Sequence, residues 1–112
     1  MGREMVDDGA SLEGGSRFPD GRHLVGDDAS IVVLPSGEVR IAYQDATAHE
    51  LRLARKASGA NAWTRSVLDD MDHSGFWAVQ VPTSPTSTAV VTWWRNEQSM
   101  PPSNGIRVFT VD

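Results

Sequence analysis

Ser30-Ile31-Val32-Val33-Leu34-Pro35-Ser36-Gly37-Glu38-Val39-Arg40-Ile41-Ala42-Tyr43 decides the fold. Its first five residues are mostly β-branched and apolar at successive positions, which predicts an interior strand covered on both faces. Pro35-Ser36-Gly37 then turns the chain. Beyond the turn, Val39, Ile41 and Tyr43 share one face of a second strand, and Arg40 and Ala42 share the other. Working outward, Gln44 to Glu50 is a polar link. Leu51 and Leu53 alternate with Arg52 and Ala54, Ser58-Gly59-Ala60-Asn61 breaks the pattern, and Trp63 to Leu68 alternates again. These runs predict a third and a fourth strand. No stretch from Ala29 onward has the spacing of an amphipathic helix.

The second half repeats this order. Trp77-Ala78-Val79-Gln80-Val81 precedes a Pro82 to Ser87 turn, then Ala89-Val90-Val91-Thr92-Trp93-Trp94, a long polar loop, and Ile106-Arg107-Val108-Phe109. Aligned by position, Ile31 and Val33 match Val79 and Val81. Ile41-Ala42-Tyr43 match Val91-Thr92-Trp93, and Leu51-Arg52-Leu53 match Ile106-Arg107-Val108. The unit is about 50 residues long, with an insertion around Glu97 to Asn104 and no fourth strand in the second copy. The expected organisation is a flexible leader over 1–26, with an edge strand near Arg22 to Val25, then one repeat over 27–70 and an incomplete one over 71–112.

Short strands repeated four to a unit at this period are the pattern of propeller blades, although a small β-sandwich remains open. The stretch from Ser30 to Thr47, followed by Glu50-Leu51-Arg52-Leu53-Ala54, resembles the blade repeat of bacterial, often secreted, β-propeller proteins. The resemblance covers residues 29 to 68 closely and 76 to 111 loosely. It implies an all-β fold of two antiparallel propeller-blade-like sheets. It also implies that this chain supplies fewer than two of the roughly six to eight blades that close such a ring. Trp93-Trp94-Arg95-Asn96 departs from the first unit's Tyr43-Gln44-Asp45.

Fifteen acidic against ten basic residues in 112, a formal charge of −5, disfavour nucleic acid and anionic membrane surfaces as partners. The absence of cysteine excludes disulfides, thiolate catalysis and iron–sulfur clusters. The first residues lack the apolar run of a signal peptide, and no later run is long enough to span a membrane, so a soluble chain is expected.

His23, His49 and His73 each lie in a polar segment beside carboxylates, the pairing that acid–base catalysis requires, but each reads as a solvated loop residue. Asp69-Asp70-Met71-Asp72 is rich in oxygen ligands, yet it lacks the spacing of a calcium-binding EF-hand loop and reads as a solvated turn. None of the familiar catalytic motifs is present, and no cofactor is expected. Tryptophan is the informative residue. Trp63, Trp77, Trp93 and Trp94 carry much of the burial a small β-protein needs, and Trp93 and Trp94 point to opposite faces of one strand. A recognition surface is expected from Trp94, Trp77, Arg95, Asn96 and Asn104, with rings as platforms and Arg and Asn fixing orientation.

The reading is therefore a non-catalytic binding or assembly module, with glycan or protein as ligand. Its partner is itself, as an oligomer completing a ring, or the remaining blades of a longer protein. The competing readings are a hydrolase subunit using Asp45, His49 or His73, and a fragment without independent function.

Overall fold

The computed structural model describes residues 2–10 and 23–112. Its strands are β1 (Val25–Val33), β2 (Val39–Asp45), β3 (Glu50–Lys56), β4 (Thr64–Asp69), β5 (His73–Pro82), β6 (Thr88–Asn96) and β7 (Ser103–Val111). β1 to β4 form one antiparallel sheet in chain order, and β5 to β7 form a second. The protein is all-β, built of two antiparallel sheets.

Turn chemistry sets both leading hairpins. Between β1 and β2 the Leu34 amide donates to the Glu38 carbonyl at 2.9 Å, and Gly37 donates back to Leu34 at 2.8 Å. Gly37 has φ 93°, a conformation that costs glycine little and other residues more. Between β5 and β6 the Thr83 amide donates to Ser87 at 2.9 Å. The preceding Pro82 therefore sits where no ladder donor is needed, as a strand proline must.

The sheets pack face to face. Ala42, Leu51 and Leu53 from the first meet Ala78, Val90 and Val111 from the second, with Leu68 and Phe109 at the margin. Polar side chains cross the same interface. The buried Arg40 guanidinium donates to Thr88 Oγ1 at 2.9 Å, to the Val111 carbonyl at 2.8 Å and to the Thr86 carbonyl at 2.9 Å, and its Nε meets Glu38 at 2.6 Å. Gln80 Nε2 reaches the carbonyls of Ser30 at 2.7 Å and Arg40 at 2.8 Å, and Gln44 Nε2 reaches Ser74 O at 2.7 Å. Apart from the Arg40–Glu38 pair, which lies within the first sheet, these bonds need the two sheets in one register, so the interface is specific as well as apolar.

Which faces meet follows from the direction of the backbone amides. Leu34 donates across the first hairpin, so by strand alternation Val32 and Ser30 also point their amides at β2, and their partners Arg40 and Ala42 point theirs at β1. In the second hairpin Thr83 donates, so Val81 and Val79 point at β6, and their partners Ala89 and Val91 point at β5. In L-residues, amide direction on equivalent strands fixes the face on which the side chain lies. Arg40 and Ala42 thus correspond to Ala89 and Val91. The first pair lies on the face buried against the second sheet; the second pair lies on the face turned away from the first.

The sheets are accordingly stacked front to back: the front of the first covers the back of the second, and no described residue covers the front of the second. The residue match shifts as well. Ala42 corresponds to Val91 rather than Thr92, and Val32 to Val81, whereas the match of Leu51-Arg52-Leu53 with Ile106-Arg107-Val108 holds in the register. A slip of one residue exchanges faces, so only the backbone pairing could settle it.

Two expectations change. β1 is not an interior strand: it lies at the sheet edge, with Val32 buried but Ile31 and Val33 more than 60% exposed, because only one of its faces is covered by β5. The leader expected over 1–26 overlaps β1, which begins at Val25, and residues 2–10 make specific contacts with the first sheet. Part of the expected edge strand near Arg22 falls outside the described residues. Replacing Arg40 by methionine strands three acceptors at the sheet interface. It is expected to lower stability by about 2–4 kcal/mol in equilibrium urea unfolding.

Candidate recognition site

At the end of β6 the chain leaves the sheet through Asn96, whose side chain organises the next turn. Its Oδ1 accepts from the amides of Gln98 at 2.9 Å and Ser99 at 3.1 Å, and its Nδ2 donates to Asp72 Oδ1 at 2.7 Å. Asp72, His73, Arg95, Asn96, Glu97 and Gln98 line a cleft of about 280 Å³ here. Arg95 pairs with Glu97 at 3.1 Å and lays its guanidinium over the Phe76 ring at 5.1 Å. Asn104 stands opposite Arg95 on β7 and is exposed.

Phe76 joins this cleft to an aromatic shelf. Its ring lies 5.3 Å from Trp93 and 6.2 Å from Trp77, and those two rings are 5.4 Å apart. Trp77 is 66% exposed and occupies the left-handed region at φ 50°, with its amide donated to Asp28 Oδ2 at 2.8 Å. Such a conformation is uncommon for a bulky residue; it accompanies the irregular pairing of β5 between Phe76 and Val79.

The structure thus brings Arg95, Asn96 and Asn104 together and sets Trp77 beside them through Phe76. Trp94 does not join them. It lies on the opposite face, half-buried, with the Arg107 guanidinium 4.3 Å over its ring and Gly105 paired across from it. Trp93 is the partner of Trp77, which its shared parity with Val91 made readable.

Each sheet also carries a closed arginine on the back of its third strand. Arg107 donates to Asp69 at 3.0 Å, to Asp72 at 2.6 Å and to the Met71 carbonyl at 2.9 Å. Arg52, fully buried, donates to Asp7 at 2.8 Å, to Asp45 at 3.0 Å and more distantly to the Ala10 carbonyl at 3.4 Å. Asp69 is buried and clasped, which corrects the reading of this acidic run as a wholly solvated turn. His23 is likewise buried rather than solvated, with Nδ1 against Asp45. His49 and His73 meet across the two sheets with ring centroids 4.6 Å apart. Both Asp45 oxygens are engaged, Oδ1 by the amides of Thr47 and Ala48 and Oδ2 by Arg52 and His23.

Charge follows these contacts. Burial pushes the Asp7 carboxyl up, but the Tyr43 hydroxyl, the Gly9 amide and Arg52 outweigh it and hold the group below its ordinary value of 3.8. Burial raises the Tyr43 phenol, and its bond to Asp7 raises it further. Glu50 is raised by burial and then by Asp45, and Arg107 is raised because its bonds to Asp72 and Asp69 outweigh its own burial.

Comparison with protein families, with curated proteins and with solved structures finds no match to this chain.

Asp7→Asn is expected to lower stability at neutral pH. The folded carboxyl lies below its unfolded value, so the stability that its ionised form contributes is present above that value and lost as pH falls through the folded one. Thermal melts of wild type and variant should therefore differ at pH 7 and converge in strong acid.

Proposed function

We propose that this chain is a non-catalytic assembly module of the propeller-blade type, whose free faces are covered by further sheets of the same build. The observation that carries the reading is the front of the second sheet. Trp77, Val79, Val81, Ile106 and Val108 are each more than half exposed there, Ile106 at 71%, and Val91 and Trp93 lie between them. Monomeric proteins seldom leave so contiguous an apolar face in water. Its counterpart in the first sheet is the face that the second sheet covers. Front-to-back stacking supports a repeating array over a closed pair, in which like faces would meet.

Val79→Lys puts a charge at the centre of this face without touching the core. Light scattering over a range of concentrations is expected to show wild-type mass rising above the 12.2 kDa of one chain, and the variant remaining near it. Equal behaviour of the two proteins would remove the face from the argument.

A second reading, recognition of a glycan or protein ligand, draws support from the Trp77–Trp93 shelf beside Arg95 and Asn96. An exposed ring next to oriented polar groups suits a sugar face. On this reading Trp77→Ala is expected to cost at least tenfold in affinity for any glycan that binds, measured by calorimetry, and Trp94→Ala much less.

A further inference from the structure

Residues 2–10 repeat, on the back of the first sheet, what the end of β4 does on the back of the second. Val6-Asp7-Asp8 reads like Leu68-Asp69-Asp70. Asp7 Oδ1 accepts the amide two residues on, from Gly9 at 2.8 Å, as Asp69 Oδ1 accepts that of Met71 at 3.0 Å. Each Oδ2 accepts one hydroxyl, Tyr43 Oη at 2.6 Å and Ser74 Oγ at 2.7 Å, and one guanidinium. The two guanidinium groups belong to Arg52 and Arg107, which occupy matching positions of β3 and β7. Asp69 ends a strand of the sheet that covers Arg107. Asp7 therefore stands where the last strand of a preceding sheet would end.

Among the described residues, no strand lies on the first sheet's back. A hollow of about 270 Å³ opens beside Val6, Ile41 and Tyr43, and a groove of about 550 Å³ runs past Val6, Ile31, Val39 and Trp63. Residues 2–10 are held there by polar contacts, with Glu4 paired to Lys56 at 3.0 Å, and Ile31 and Val33 on the edge strand stay exposed on that face. The second sheet has the opposite defect. Among the described residues it has three strands where the first has four, and β7 is an edge. By the amide alternation established for β6, Ile106, Val108 and Thr110 point their amides away from the sheet, a ladder that no described residue pairs and that could take one more strand.

We propose that these two defects answer each other between copies. The second sheet of one chain seats its free front on the back of the first sheet of another, and residues 4–7 of the latter pair with β7 as the fourth strand. Charge and pattern both fit. The incoming face is apolar, the groove it meets is lined in part by Val6, Ile31, Val39 and Trp63, and Asp7 adds a second carboxylate, beside Asp45, to the buried Arg52. The contact joins unlike faces, so it propagates head to tail and ends only if the ring closes.

This proposal rests on the assembly reading above and adds strand completion to it. The test follows the backbone amides of residues 4–7 by hydrogen exchange across an association series of the full chain, with Val108→Pro as the variant. That substitution removes an outward edge donor and leaves the β6–β7 ladder intact. Protection of the 4–7 amides is expected to rise at least tenfold as mass increases, and Val108→Pro to weaken association at least tenfold while circular dichroism stays that of the wild type. Association that leaves these amides unprotected would overturn strand completion even where Val79→Lys abolishes assembly. So would a Val108→Pro chain that folds and associates as wild type does. A wild-type chain that stays single at every concentration would overturn the second copy as occupant.

Discussion

A guanidinium buried on a sheet face must be closed by carboxylates, and this requirement holds the molecule's layers in place. Arg107 on β7 is met by Asp69 at the end of β4 and by Asp72 in the turn that follows, and the buried Arg52 is met by Asp7 and by Asp45 of its own sheet. Arg40 adds a second crossing between the sheets, from β2 to the carbonyls of Val111 and Thr86. The apolar core between the sheets is small, and these polar crossings restrict it to one register. Arg107 gives the stacking a direction, since the back of the second sheet takes its carboxylate from the end of β4 in the first.

Directional stacking leaves an unsatisfied end. Sheets that stack front to back present one uncovered front and one uncovered back. Among the described residues, the back is partly served by residues 2–10 and the front is bare. A closed sandwich would have hidden like faces against each other and left polar faces outward. The exposed Val79, Val81, Ile106 and Val108 are the opposite of that pattern.

The aromatic residues divide between the two faces of the second sheet. Trp77 belongs both to the bare front and to the shelf beside the Arg95 cleft, and its left-handed backbone turns the ring outward at the place where β5 loses its regular pairing. Trp94 does structural work instead. It fills the space over Gly105, where an added Cβ would stand 3.1 Å from the indole nitrogen, and it carries Arg107 on its face.

Much of the fold was legible in the chain itself. Alternation of apolar and polar residues, glycine and proline at the turns, and repetition at one period located all seven strands and divided them four and three, because these are local properties of backbone and side chain. Of the cleft, Arg95 and Asn96 were legible, because they end one strand where its polar loop begins, while Asp72 and His73 reach it only through packing. What only tertiary structure decided was facing and long-range charge. Strand alternation says which residues share a face, but not which face is covered; that depends on amide direction in two hairpins that no sequence match reveals. For the same reason β1 was misread as interior and His23 as solvated, and the Asp7–Arg52 pair, 45 residues apart, was invisible until packing brought its two charges together.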